Sequence, residues 1–207
     1  IYTINKTNHG PSFLREGPSE RVIWPFQQFR DMSNEEAVII VGRLMELAAR
    51  TAPKAMGKDF IETALLTDER KNRLGEDLIE IGRERGIPGF QRDGQNVLDS
   101  DAVVLIGLLP HLGMGLDCGA CGVSGCDEFN TLSASKDFQG PNCALRLLDM
   151  GIALGSAAKV AADHNVDNRI MYRIGVSAIR LGYSKANICH GIPLSVTGKN
   201  IFFDRDR

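Results

Sequence analysis

Four cysteines crowd into one glycine-rich stretch of this sequence. They are separated by two, four and sixteen residues, and they are Cys118, Cys121, Cys126 and Cys143. Three closely spaced thiolates and one distant thiolate can surround an iron–sulfur cubane, because the short loop covers one side and the distant ligand closes the other. The spacing therefore predicts a metal centre, with a [4Fe–4S] cluster as the favoured occupant.

The residues around these cysteines suit an anionic centre. Gly119, Gly122 and Gly125 separate the first three cysteines, and a backbone without Cβ can turn tightly and direct its N–H groups at cluster sulfides. Cys143 follows Pro141 at the start of a long apolar stretch. If that stretch is a helix, the fourth cysteine lies in its first turn, where the positive end of the helix dipole faces the cluster.

Zinc is the alternative metal, because four thiolates also bind Zn²⁺. Structural zinc sites usually pair two Cys-x2-4-Cys knuckles, and only Cys118 and Cys121 have that spacing here. The fifth cysteine, Cys189, lies in an apolar stretch far from the loop. We expect it to be a small core residue rather than a ligand.

The overall composition is that of a soluble globular protein. Hydrophobic residues make up 43% of the 207 residues, charged residues make up 24%, and the formal net charge is -2. This balance gives no electrostatic reason to bind nucleic acid or an acidic membrane surface. No apolar run approaches the roughly 18 residues that cross a bilayer, and no charged-then-apolar leader is apparent. The sequence predicts a cytoplasmic protein with reduced cysteines and with no nucleic-acid or membrane partner.

Helical and strand periodicities surround the cysteine loop. Ser33 and Glu36 form a capping-box pattern ahead of a helix whose predicted core face includes Ile40, Leu44 and Leu47. Helices are predicted over residues 33–53, 67–86, 142–164 and 170–181, and strands over residues 60–66, 102–108 and 186–192. The order predicts an α+β domain with a sheet of about four or five strands.

Three regions follow from this pass along the chain. Residues 1–31 are predicted to be an N-terminal arm that docks through Trp24, Phe26 and Phe29. Residues 32–207 are predicted to form a single α+β domain. Residues 115–145 are predicted to be an iron–sulfur loop inserted into that domain.

The residues quoted above carry a resemblance to known proteins. The segment from Asp117 to Phe129, with Cys143 after it, resembles the four-cysteine module of corrinoid iron–sulfur proteins and membrane electron-transport complexes. That resemblance implies a [4Fe–4S] cluster on all four cysteines. Residues 32–207 as a whole resemble the DUF2148 family of "ferredoxin domain-containing" proteins, through residues 48–55, 166–173 and 191–203. The family name implies a cluster and leaves the activity open.

A second resemblance is to the nitroreductase flavoproteins. Residues 48–53, followed by a strand at 63–67, look like their Ala-Pro-Ser loop, and residues 191–194 look like their segment near the FMN phosphate. The resemblance implies a nitroreductase-like mixed sheet flanked by helices. It also implies flavin contacts, since cations and glycine N–H groups suit a phosphate. The implied contacts are Arg50, Lys54, Gly198 and Lys199.

Together the two resemblances imply an iron–sulfur redox protein, and one interpretation is an FMN-linked oxidoreductase that passes electrons between the cluster and a flavin. Its partners would be electron donor or acceptor proteins or small redox substrates. A homodimer is also expected, because the aromatic arm needs an apolar surface and nitroreductase-like domains pair across their flavin sites. The alternatives are a single-centre electron carrier or redox sensor without flavin, and a zinc-stabilised interaction domain. No catalytic residue is assigned, and His164 and His190 are expected to be structural.

Overall fold

The computed structural model describes residues 33–203, so the predicted arm at residues 1–31 lies outside the described residues. The helices are α1 (Asn34–Thr51), α2 (Asp68–Arg85), α3 (Pro88–Leu98), α4 (Cys126–Phe129), α5 (Ala144–Asp163) and α6 (Tyr172–Arg180). The strands are β1 (Ile61–Leu66), β2 (Ala102–Leu108), β3 (Ala134–Ser135), β4 (Gln139–Gly140), β5 (Asp167–Asn168) and β6 (Ile188–Ser195). No helix in this part of the chain is long and apolar enough to span a bilayer.

Four strands form the main sheet in the order β1-β2-β6-β5, and β3 pairs with β4 in a separate hairpin. The predicted α+β class and strand number are confirmed. The predicted mixed sheet is wrong for residues 33–203, where every pairing is antiparallel. The reason is the two-helix connection α2–α3, which returns the chain to the end of the sheet at which β1 finished, so Val103 pairs with Leu66.

The last strand begins two residues later than predicted and runs three residues further. β6 continues through Pro193, which lies opposite Val103 of β2. Gly191 exchanges backbone hydrogen bonds with Met171 on its other side, and residue 193 directs its backbone to that same side because strands alternate. Pro193 therefore removes no hydrogen bond to β2.

Two hydrophobic cores lie on the two faces of the sheet. α1 and α5 cover one face, and α2, α3 and α6 cover the other. All seven residues of β2 are buried, as predicted for a strand covered on both sides. Cys189 is fully buried in the second core, so the prediction that it is a core residue is confirmed.

The ends of the first helices follow local chemistry. Ser33 and Glu36 form the predicted capping box at the start of α1, and Gly86 ends α2 in the left-handed conformation with φ of 65°. Helix α3 was not predicted. Pro88, taken as a stop signal for α2, is the first residue of α3, where a residue without an N–H fits well.

The buried face of α1 differs from the prediction. Ile40, Leu44 and Leu47 are 49%, 38% and 58% exposed, whereas the core face consists of Val38, Val41, Gly42, Met45 and Ala49. The helix is apolar over more than half its circumference, so periodicity did not decide which side meets the sheet. Helix α5 also exposes large apolar residues. We define the α1–α5 apolar face as Ile40, Leu44, Leu47, Leu147, Leu148 and Ile152.

Candidate metal centre and adjoining cleft

All four cysteines of the loop line one cavity. This cysteine cavity has a volume of about 10 Å³ and lies where the loop after β2 meets the start of α5. Cys118 is exposed, Cys121 and Cys126 are half-buried, and Cys143 is buried. The structure therefore brings together the four residues that the sequence singled out as ligands, and all of them are free thiols.

Glycines shape the loop around this cavity. Gly119 and Gly122 have φ angles of 66° and 82°, as expected for residues that turn the chain tightly. Gly125 is instead extended and precedes α4. A Cβ added at Gly113 would lie 3.0 Å from the Cβ and 3.1 Å from the Sγ of Cys126. The backbone of Gly113 thus packs directly on the third cysteine.

Asp117 ties two parts of the loop together. It has a φ of 45°, which an Asp tolerates better than most residues. Its Oδ1 accepts a hydrogen bond of 2.7 Å from the N–H of Cys126. The residue before the first cysteine therefore fixes the backbone of the third. Sequence reasoning gave Asp117 no role, although its position beside Cys118 in a turn is typical of a side chain that bonds to nearby backbone.

Cys143 is held at the start of α5 by a histidine. Its N–H donates to His111 Nε2 at 3.1 Å. His111 Nδ1 lies 2.9 Å from the carbonyl oxygen of Leu109, which can only accept, so Nδ1 carries the proton and the ring is neutral. Burial lowers the pKa of His111, and the positive charge of Arg146 lowers it further, in agreement with a neutral ring. The ring lies between Phe60 and Phe129.

No single-ion metal site is present among the described residues. Within residues 33–203, no three His, Cys, Asp or Glu side chains converge closely enough to hold a single metal ion. Zinc needs its thiolates about 2.3 Å from one centre. A cubane instead binds each thiolate at a different iron, so its ligands lie further apart.

Two of the predicted flavin contacts, Arg50 and Lys54, lie at the C-terminal end of α1 and form hydrogen bonds within the protein. Arg50 Nη1 donates to Asp59 Oδ2 at 2.6 Å and to the Ile61 carbonyl at 2.8 Å. Lys54 Nζ donates to the carbonyl of Ala49 at 2.8 Å and also to that of Arg50. Only 6% of the Lys54 side chain is exposed. Lys54 therefore satisfies carbonyls that the end of α1 would leave unpaired, whereas Arg50 links the end of α1 to Asp59 and to the start of β1.

The other two predicted flavin contacts, Gly198 and Lys199, follow β6 at the opposite end of the sheet. Leu108 of β2 lies opposite both Ile61 and Ile188, near Arg50, whereas Ala102 lies opposite Leu194. The strand between these ends spans about 20 Å. Within one chain the four predicted contacts therefore do not form one group.

A second cavity adjoins the cysteine cavity, and we call it the adjoining cleft. Its volume is about 580 Å³. Gly113 and Met114 belong to the walls of both cavities. The other residues that line the cleft are apolar or potentially cationic, and they are Met56, Lys58, Phe60, Pro110, His111, Leu112 and Arg146.

Arg146 connects this cleft to the body of the protein. It is 3% exposed, and its Nη1 donates to the carbonyls of Ala55 and Lys58 and to Asp149, at 3.0, 2.9 and 3.0 Å. Its guanidinium lies over the ring of Phe60, 4.7 Å from the centroid. Arg146 Nε is buried without a hydrogen-bond partner. Sequence reasoning missed this residue, although an Arg and an Asp three residues apart in an apolar helix indicate a buried pair.

Comparison with known sequences identifies relatives. The sequence model described as "Uncharacterized protein containing a ferredoxin domain (DUF2148)" matches residues 139–205. This segment includes Cys143 and ends before the last two residues of the chain. An uncharacterized protein of Archaeoglobus fulgidus is 43% identical over 177 residues, which are 85% of this chain and 95% of that protein.

Comparison with solved structures concerns the fold. Two mutants of an FMN and NADPH-dependent nitroreductase, NfnB, derived from Sphigopyxis sp. strain HMH have TM-scores of 0.51 and 0.50 at 13% and 14% identity. The first match covers 77% of this chain and 79% of the nitroreductase chain. The second covers 79% of this chain and 80% of the nitroreductase chain. A BluB-like flavoprotein from Clostridium difficile 630 has a TM-score of 0.48 at 15% identity, and the match covers 87% of this chain and 88% of that one.

Proposed function

Because the chain belongs to the DUF2148 family of uncharacterized proteins containing a ferredoxin domain, we propose that it is an iron–sulfur redox protein. The specific proposal is an FMN-linked oxidoreductase with a [4Fe–4S] cluster. The cluster ligands are Cys118, Cys121, Cys126 and Cys143. Bound FMN would supply two-electron chemistry, and a cluster held by the four cysteines would supply one-electron chemistry.

The observation that carries the proposal is the shared cavity of the four thiols. Thiolates are the ligands that iron–sulfur clusters use. The cavity is also lined by Ala144 and Leu145, in the first turn of α5. The N-terminal end of a 20-residue helix favours negative charge, so this wall suits thiolates and sulfides.

The surrounding residues hold the proposed ligands in place. Asp117 fixes the backbone of Cys126, and His111 fixes the backbone of Cys143. Phe129 is 4% exposed and lines the cavity, so it keeps water from that side. These contacts come from side chains that bind no metal themselves, and such contacts preserve the geometry of metal sites.

The fold supports the flavin part of the proposal. The relatives with TM-scores of 0.51 and 0.50 are FMN and NADPH-dependent nitroreductases by name. The residues near the cysteine cavity also fit an aromatic anion, because the adjoining cleft has apolar walls and two cations. Arg50 and Lys54 do not line the adjoining cleft. Arg50 donates to Asp59 and to the Ile61 carbonyl, and Lys54 donates to carbonyls at the end of α1.

We extend the proposal to a homodimer whose external partners are electron-carrier proteins or small redox substrates. The α1–α5 apolar face supports the dimer, because six large apolar side chains on two packed helices are exposed there. Gly151 and Gly155 of α5 have open space where a Cβ would stand. A second copy of the chain would cover both features.

Anaerobic purification followed by absorption spectroscopy tests the proposed function. We expect a broad brown absorbance together with yellow flavin bands, and FMN should be released when the protein is denatured. A brown protein without flavin would replace the proposal with a single-centre electron carrier or redox sensor. A colourless protein that contains zinc would replace it with a zinc-stabilised interaction domain.

A further inference from the structure

We propose that the adjoining cleft is the FMN site, with its apolar side chains receiving the ring system and Lys58 receiving the phosphate. This inference rests on the proposed function and gives it a location. It differs from the site that sequence resemblance implied, because none of the four implied contacts lines the cleft. Three observations carry it: the apolar walls of the cleft, its charges, and its boundary with the cysteine cavity.

The apolar walls leave large side chains in contact with solvent. Met56 is 64% exposed and Leu112 is 70% exposed. Both line the same cleft of about 580 Å³ as Phe60. Exposed apolar side chains in a cleft with a few polar groups are typical of small-molecule sites. A flat ring system is the kind of ligand that such walls cover.

The charges of the cleft select an anion. Lys58 and Arg146 line it, and none of its lining residues is an Asp or a Glu. The Lys58 ammonium group makes no ion pair with the part of the chain that the structure describes. A phosphate would therefore meet a cation that has no competing carboxylate.

Arg146 adds a sign that the site is incomplete. The residue is 3% exposed, and its Nε has no hydrogen-bond partner. Buried donors are nearly always paired, so an unpaired one next to a cleft indicates a missing acceptor. Asp149 offsets part of the charge of Arg146, which leaves Lys58 as the stronger phosphate contact.

The boundary of the cleft places it beside the proposed cluster. Gly113 and Met114 line both cavities. Gly113 has no side chain, and its backbone packs on Cys126. A ligand in the cleft would thus be separated from the cysteine cavity by a single stretch of backbone. An FMN-linked iron–sulfur protein requires such proximity between its two groups.

The test is a titration of the anaerobic, cluster-containing protein with FMN, followed by the quenching of flavin fluorescence. Lys58→Ala should weaken FMN binding about tenfold, which corresponds to the loss of one charge-assisted hydrogen bond. Leu112→Glu, which places a carboxylate at an exposed position of the cleft, should weaken it further. Lys199→Ala is the matched control and should leave the affinity unchanged. Riboflavin, which lacks the phosphate, should bind equally to the native protein and to Lys58→Ala.

Iron content is measured in every variant so that two failures can be told apart. If FMN binds Lys58→Ala and Leu112→Glu as tightly as it binds the native protein, the cleft assignment is overturned and the proposed function stands. If the native protein binds no FMN while its cluster is intact, both the cleft assignment and the flavin-linked function are overturned. If Lys199→Ala is the only variant that weakens FMN binding, the FMN site lies at the other end of the sheet, near Gly198 and Lys199.

Discussion

Cys189 and the four loop cysteines differ in what surrounds the thiol. Cys189 is fully buried in the second core, and burial raises the pKa of its thiol to about 12. Only a thiolate binds metal. The loop cysteines instead line a cavity at the surface. The surroundings of the thiols therefore separate the four proposed ligands from the core cysteine, as the sequence spacing also did.

Replacing Cys189 with Ser should leave the iron content of the protein unchanged, because this thiol neither reaches the cavity nor ionises. Replacing Cys126 with Ser should remove most of the iron, because a cluster would lose one of its ligands. Iron per chain, measured after anaerobic purification, checks both outcomes. Loss of iron from Cys189→Ser would contradict the assignment of ligands.

Asp117→Ala should release iron to a chelator faster than the native protein does. The substitution removes the acceptor of the Cys126 N–H, a loss of about 1 kcal/mol, and places Ala at a positive φ. Asp117→Asn should restore most of the slow release, because its amide oxygen can still accept. Asp127→Ala, in exposed α4, is the control and should behave like the native protein. Equal release rates for all four proteins would show that Asp117 does not support the centre.

His190 should make the protein less stable in mild acid. Its ring is stacked on Phe138 with centroids 6.2 Å apart, and burial lowers its pKa below the usual value of about 6.5. The unfolded chain therefore binds a proton at a higher pH than the folded chain does. The stability of the fold should be complete above about pH 6.5 and should fall as the pH drops through the lower, folded-state pKa.

The variant His190→Phe isolates this effect, because it keeps an aromatic ring and removes the titrating group. The free energy of unfolding of both proteins should be measured by urea denaturation between about pH 7 and pH 5. We expect the native protein to lose stability relative to His190→Phe on acidification. Parallel pH profiles for the two proteins would contradict this prediction.

Among the helices and strands, the features predicted correctly are those that neighbouring residues in the sequence determine. The capping box at Ser33, the left-handed Gly86 and the buried run of β2 were all readable. Helix α3 was missed because Pro88 both ends one pattern and begins the next. The core face of α1 was missed because apolar residues lie on two sides of it, and only packing on the sheet decides between them.

The α1–α5 apolar face should mediate a homodimer. The double variant Leu47→Glu, Leu148→Glu puts two charges on it, at positions that are 58% and 61% exposed in one chain. These changes should alter the stability of the folded monomer little, because both positions are exposed in it. A dimer should dissociate, because its interface would bury the two charges without partners. Light scattering at micromolar protein concentration gives the mass of each species.

Ile87→Glu is the matched control, because Ile87 is also an exposed apolar residue and belongs to the layer of α2 and α3. It should leave the dimer intact. A native protein that is monomeric at the same concentration would contradict the dimer. Dissociation by Ile87→Glu, with no effect of the double variant, would move the interface to the opposite layer.

At the scale of the whole molecule, both cavities gather at one end of the sheet. β2 delivers the cysteine loop there, α5 begins there, and the segment before β1 supplies Lys58 and Phe60. Arg146 and Asp149, a buried pair with atoms 3.0 Å apart, join this segment to α5. The site is therefore attached to the core of the fold rather than to a free loop.

This gathering explains which parts of the site could be predicted. The cysteines were identified because their spacing is typical of cluster ligands. His111 and Arg146 were not, because their roles depend on partners 32 and 91 residues away. Gly198 and Lys199 were grouped with Arg50 and Lys54 by resemblance, and the register of β6 separates them. Contacts between distant segments follow from sheet pairing, which residue patterns do not specify.

The proposal that the four loop cysteines hold a [4Fe–4S] cluster is tested most directly by a measurement of metal content. The measurement is the ratio of iron, acid-labile sulfide and zinc to protein in the anaerobically reconstituted chain. A [4Fe–4S] cluster on the four loop cysteines predicts about four iron and about four sulfide per chain, no zinc, and loss of both iron and sulfide in Cys126→Ser. One zinc per chain without sulfide would contradict it, as would iron and sulfide that persist at full ratio in the variant.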